Sequence, residues 1–182
     1  MNLSSEDIQA VFRAMSAKLG EPISRIQKDW WLDPFIYSIN FVTPTPLTAS
    51  GTVTLNFIVQ NDSAFAICKT TYIASNNANA AVANLQPFGS GGASSLVEVL
   101  ATITDSGSGR ALSDNPIPID SLFGTGQFPR IWPIPKIVDP NTVISVTLTN
   151  LVATERHIRL AFTGYKVFGN VQNWELNSQF SR

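Results

Sequence analysis

The sequence predicts an all-β protein, an antiparallel jelly-roll-like β-sandwich of about eight strands, behind a short N-terminal α-helix and an extended arm. Three observations carry that expectation. Segments such as Thr52 to Gln60 and Thr142 to Leu148 alternate apolar and polar side chains with period two, the mark of a strand with one buried face. Clusters of Gly, Pro, Asn and Asp divide such segments at intervals typical of sandwiches. Beyond residue 34 no strand is followed by a helical pattern, which removes βαβ units and the parallel α/β folds. An immunoglobulin-like sandwich is the alternative arrangement of the same strands.

The helix comes first. Ser4 or Ser5 can cap it, and Glu6 and Asp7 lie in the first turn, where the helix dipole favours anions. Ile8, Val11, Phe12, Met15 and Leu19 form one apolar stripe at helical period. Gly20 and Pro22 end it. A helix of this length is not stable alone, so its stripe must dock on its own sandwich or on a neighbour. Residues 21–34 read as an arm holding Ile23, Ile26, Trp30, Trp31 and Leu32. The chain then divides into an N-terminal helix and arm (1–34), a sandwich domain (35–168) and a polar C-terminal tail (169–182).

Strands are expected at Phe35 to Thr43, Thr52 to Gln60 and Phe65 to Ile73. Residues 74–95, mostly Ala, Asn, Gly and Ser, read as a long loop. Leu96 to Thr104 resumes the alternation, and Asp105 to Gly109 is a turn. Ile117 to Phe123 is expected as a short edge strand, because Pro116 and Pro118 cannot donate ladder hydrogen bonds. Four prolines in 129–140 suggest an extended edge segment, closed by the turn Asp139-Pro140-Asn141. Thr142 to Leu148 points Ile144, Val146 and Leu148 inward. Arg156 to Phe168 is the longest strand, with Ile158, Leu160 and Phe162 on one face.

Charge is scarce and uneven. Charged residues make up 14% of the chain, against about 25% in an average domain. Residues 34–104 carry only Asp62, Lys69 and Glu98. A long neutral surface rich in Thr, Ser and Asn suits burial against another protein, since interface cores are depleted in charge. With a net charge of −1 and no basic run, nucleic-acid binding is not expected. No apolar run reaches the ~18–20 residues that span a bilayer, so no membrane partner is expected either. The polar, acidic N-terminus does not read as a secretion signal, and the single cysteine, Cys68, suits folding in a reducing cytoplasm.

Chemical motifs are missing. The single histidine, His157, has no second histidine, cysteine pair or acidic cluster nearby with which to hold a metal. No G-x-S-x-G elbow occurs. Gly89-Ser-Gly-Gly-Ala-Ser94 lacks the G-K-[ST] ending of a phosphate loop and reads as a flexible loop. Asp62, Asp105, Asp114, Asp120 and Asp139 sit near turns, where Asp bonds local backbone, and no spacing resembles an EF-hand. The carboxylates are too scattered for a glycosidase pair. Cys68 reads as a buried small hydrophobe. No enzymatic activity, catalytic residue, metal or cofactor is expected. The tryptophans Trp30, Trp31, Trp132 and Trp174 are the more informative residues, able to stack on sugars, anchor an interface or close the ends of the sandwich.

Ile117-Pro-Ile-Asp-Ser-Leu-Phe-Gly-Thr-Gly126 leads through Phe128-Pro129 and Ile131-Trp-Pro-Ile-Pro135 to Ile137-Val-Asp-Pro-Asn-Thr142. Val146-Thr-Leu-Thr-Asn150 and Ile158-Arg-Leu-Ala-Phe-Thr-Gly-Tyr-Lys166 follow. This stretch resembles small virion structural proteins of tailed bacteriophages, of the capsid cement or decoration type. The resemblance implies a virion component without enzymatic activity, made in the host cytoplasm. Its partners would be the major capsid protein or other virion proteins, and it would act as a homo-oligomer such as a trimer. A neck, collar or tail protein is the second expectation, and a carbohydrate- or receptor-binding module the third. Contact residues are expected among Ile8, Val11, Phe12, Met15 and Leu19 of the helix, and among Trp30, Trp31, Trp132 and Trp174.

Overall fold

The computed structural model describes residues 5–42, 45–75, 98–126 and 128–169. Two helices open the chain, α1 (Ser5–Leu19) and α2 (Ile23–Asp29). Gly20, at φ 68°, stops α1 in the left-handed region that a residue with a Cβ rarely enters. The arm expected over 21–34 is instead helix and strand. Pro22 ends nothing here: it is the N-cap of α2, a place where proline's fixed φ costs little. The first strand, β1 (Trp31–Phe41), starts four residues earlier than expected, at Trp31 and not Phe35.

The long strands are β1, β2 (Thr52–Ile58), β3 (Ala64–Ser75), β4 (Val99–Asp105), β8 (Arg130–Val138), β9 (Val143–Asn150) and β10 (His157–Phe168). Between β4 and β8 lie three two-residue strands, β5 (Arg110–Ala111), β6 (Ile117–Pro118) and β7 (Gly124–Thr125). The expected edge strand over 117–123 is mostly a single helical turn, α3 (Ile119–Leu122). Pro118 removes a ladder donor at its start, and side chains of β3 hold the turn. Tyr72 donates its hydroxyl to the Asp120 carboxylate, and the Thr70 hydroxyl donates to the Leu122 carbonyl oxygen at 2.6 Å.

Two five-stranded sheets result. In the first, β1 pairs with β10 and β10 with β3, and β3 then receives β8 and β7. In the second, β2 pairs with β9 and β9 with β4, and β4 then receives β5 and β6. All long pairings are antiparallel. The sheets face each other across one apolar core. Tyr37, Ile39 and Phe41 of β1 and Ile158, Leu160 and Phe162 of β10 meet Phe57 of β2, Ile144, Val146 and Leu148 of β9 and Ile103 of β4. The period-two alternation is therefore real: Ile144, Val146 and Leu148 point inward, as expected. Burying each such side chain stabilises the fold by about 1.5–3 kcal/mol.

Sheet one departs from simple alternation. Residues 162–167 of β10 are all buried, because α1 and α2 cover the outer face at this end. Val11, Met15, Ile26 and Trp30 pack on Ala64, Ala66, Cys68, Ile137, Tyr165 and Val167. The alanines let the helices approach closely. Ion pairs pin both ends of α1, Asp7 to Lys69 at 3.2 Å and Lys18 to Asp139 at 2.5 Å. The β10–β3 register shifts between Thr163 and Gly164, and a Cβ on Gly164 would lie 1.8 Å from the Ala66 carbonyl oxygen, so only glycine fits.

Candidate contact surface

The helix stripe is used within the chain. Val11 and Met15 are fully buried on sheet one, and Ile8, Phe12 and Leu19 are half-buried against the same cluster. Trp30 is buried in the same cluster and against Gly169, where a Cβ would lie 2.2 Å from the indole. Trp132 is half-buried, and its indole N–H donates to Thr70 Oγ1 at 3.2 Å. Trp31, expected in the arm, and Trp132, expected in the proline-rich edge segment, both belong to strands, at the start of β1 and within β8. Trp31 is 59% exposed. Trp174 and most of the expected loop 74–95 and tail 169–182 lie outside the described residues.

The largest exposed apolar side chains near one another in sequence are ones the sequence reading passed over. Phe128 is 79% exposed, Ile131 56% and Ile134 74%. Their exposure follows from the edge strand β8. Arg130 and Ile131 pair with Thr70 and Lys69 of β3, and pairing then resumes only at Lys136 opposite Ile67. Residues 132–135 therefore bulge from the ladder. Pro133 and Pro135 have no N–H to lend to it, so the bulge costs no proline hydrogen bond. The signal available in the sequence was Phe-Pro-Arg-Ile-Trp-Pro-Ile-Pro, apolar residues at positions where prolines forbid a regular ladder.

A second surface is defined by missing charge. On the outer face of sheet two, Thr52, Thr54, Asn56 and Ile58 of β2 lie opposite Thr149, Thr147, Ser145 and Val143 of β9. Leu100, Thr102 and Thr104 of β4 complete the face opposite Thr149, Thr147 and Ser145. Threonine hydroxyls pair across the strands, Thr52 with Thr149 at 3.0 Å and Thr54 with Thr147 at 2.8 Å. The hydroxyls satisfy each other, so another protein can cover this face with a small desolvation cost.

The ionisable groups serve structure. Asp105, at the end of β4, accepts from the Lys136 ammonium of β8 at 2.8 Å and so ties sheet two to sheet one. It also accepts from Gly107 N–H at 3.0 Å and from the Ser108 hydroxyl at 3.0 Å. Burial pushes its carboxyl upward, but these donors and the Lys136 charge outweigh burial and hold it below the ordinary value. Burial, and then the Asp7 carboxylate, pushes the Cys68 thiol up to about 12, and burial pushes Tyr165 up to about 12. Neither is a nucleophile near neutral pH. His157 is buried with Nε2 3.0 Å from Glu155 Oε1. Among the described residues, no group of three or more His, Cys, Asp or Glu is placed to hold a metal ion, and no helix is long and apolar enough to cross a membrane.

Comparison with protein-family models, curated proteins and solved structures finds no match for this chain. Function must therefore be argued from the surface itself.

Proposed function

We propose that this chain is a non-enzymatic virion structural protein, a capsid cement or decoration protein that bridges major capsid protein subunits. The single observation that carries the proposal is the exposure of three large apolar side chains, Phe128, Ile131 and Ile134, within a short proline-laced stretch at the edge of a packed sandwich. Exposed apolar side chains in a cluster mark contact sites, and prolines on either side mean little conformational entropy is lost when they are covered. The three expose roughly 400 Å², about half of what one partner contributes to a standard interface. A partner must thus also cover a second surface, for which the uncharged face of sheet two is suited.

The strand order supports the same reading. With the two-residue pieces β5 and β7 set aside, the sheets run β1-β10-β3-β8 and β2-β9-β4-β6. We infer a jelly roll from that order, the architecture of viral capsid and lectin domains. The resemblance of residues 117–166 to tailed-phage proteins supplies the virion. The helix docked in cis leaves the sandwich edges and faces as the means of contact.

The test is reconstitution. Particles stripped of the protein and re-coated with it are expected to release DNA at a higher temperature than bare particles. Phe128→Ser with Ile134→Ser is expected to weaken re-coating by at least about 100-fold, since ~25 cal/mol per Å² over roughly 150–300 Å² of lost area comes to about 4–7 kcal/mol, of which association costs leave only part visible. An unchanged release temperature refutes the cement role. A copy number matching one ring at the portal vertex, not the capsid lattice, would assign the protein to the neck or tail instead.

A further inference from the structure

One end of the sandwich carries a different kind of site. Trp31 and Phe168 face each other where β1 and β10 end, and their rings stack at 5.2 Å and 8°. One face of the indole is thus backed, and the 59% exposure belongs to the rest of the ring. Behind Phe168 lies the Lys166 ammonium, 5.9 Å from that ring's centroid and 4.7 Å from the Phe35 centroid. Phe35 meets Tyr37 edge-on at 4.9 Å, and Tyr37 stacks on Phe57 at 4.6 Å within the core. An unbroken series of rings, with one ammonium among them, runs from the core to Trp31. The platform is therefore pre-organised, and a ligand that stacks on it does not have to immobilise it.

One carboxylate lies in the row of the platform, and a second polar group lies behind it. Asp33 is two residues along the same row of β1, exposed, and opposite Lys166. Lys166 donates to the Gln60 side chain and to Asp62, 3.2 Å away, and both acceptors reach solvent. Among the described residues, the charged groups at this end are Asp33, Asp62 and Lys166, which sum to a net negative charge. A protein hot spot sets its tryptophan among apolar neighbours that exclude water. Here the tryptophan has the exposed Asp33 carboxylate next in its row, with lone pairs left for hydroxyl donors.

We propose that Trp31 is the stacking platform of a carbohydrate subsite that takes a neutral hexopyranose ring. The apolar C–H face of the sugar covers the open face of the indole, and an equatorial hydroxyl donates to Asp33. The negative balance disfavours acidic sugars. This site is separate from the Phe128 projection and does not rest on the virion reading.

The experiment titrates the full chain, ¹⁵N-labelled at its indoles, with cellotriose and with maltotriose, and with sialyllactose as the anionic probe. The Trp31 indole N–H, assigned by its loss in Trp31→Phe, is expected to shift saturably with a neutral trisaccharide. A dissociation constant on the order of 1 mM is expected from one stacked ring. The Trp132 signal stays in place, and sialyllactose produces a smaller shift. Trp31→Ala removes the saturable response at unchanged fold, checked by the backbone amide spectrum. No movement of the Trp31 signal with either neutral sugar overturns the proposal, as does a saturable response that survives in Trp31→Ala.

Discussion

Replacing Asp105 with asparagine removes the one carboxylate that links the two sheets at this end while keeping the side chain's shape. The Asp105 side chain is 5% exposed and that of its partner, Lys136, 29%. A fully buried pair broken on one side costs about 3–5 kcal/mol. Lys136 keeps some water, so the loss here is smaller, about 2–3 kcal/mol. The asparagine oxygen can still accept from Gly107 N–H, which keeps the turn. At about 2–4 °C per kcal/mol for a chain of this size, Tm is expected to fall by about 4–12 °C. Urea unfolding followed by tryptophan fluorescence measures the change directly. The pH dependence has a definite sign. Asp105 is held below its ordinary value in the folded state, so its stabilisation is fully present above the unfolded carboxyl pKa of about 3.9. It is lost as pH falls through the lower folded value. The gap between wild type and Asp105→Asn is therefore flat from about pH 5 upward and narrows below about pH 4. The cycle with Lys136→Met is expected to return a coupling of at least about 1 kcal/mol. A variant within about 0.5 kcal/mol of wild type, or a gap that widens on acidification, refutes the role assigned to this pair.

Three further outcomes follow from packing. Gly164→Ala drives a Cβ into the Ala66 carbonyl at the β10–β3 bulge, and a loss of at least about 3 kcal/mol is expected in urea unfolding. The wild-type thiol of Cys68 is expected to resist maleimide at pH 8, because burial raises it to about 12 and α1 covers it. Met15→Ala opens a cavity under α1 worth about 2–4 kcal/mol, and Cys68 labelling is expected to accelerate before the sandwich unfolds; unchanged labelling would mean α1 does not control access.

What was legible in the sequence was what depends on local period. The stripe from Ile8 to Leu19 became α1, and the alternation through Ile144, Val146 and Leu148 became an inward face. What was not legible depends on contacts distant in sequence. α2 is seven residues long and holds only because Ile26 and Trp30 bury on β3 and β10, so Pro22 looked like an ending. α3 replaces a strand because Thr70 and Tyr72 grip it from about fifty residues away. The exposed projection was hidden for a similar reason: residues 129–140 read only as an extended edge segment, and the β8 register is what shows 132–135 leaving the ladder. Of the tryptophans, sequence could rank none, since Trp30 and Trp31 are neighbours with opposite fates, one buried in the cluster under the helices and one mostly in water.

The prolines also bear on what happens when many copies crowd together. Open sandwiches have strand edges, and at high local density such edges recruit one another into fibres. β1 carries Pro34, β6 carries Pro118 and β8 carries Pro133 and Pro135, all on edge strands, while β2 is the one long edge strand among the described residues that carries none. Solutions of the isolated chain should therefore stay clear on storage at high concentration. If fibres ever form, their seeds should grow from β2.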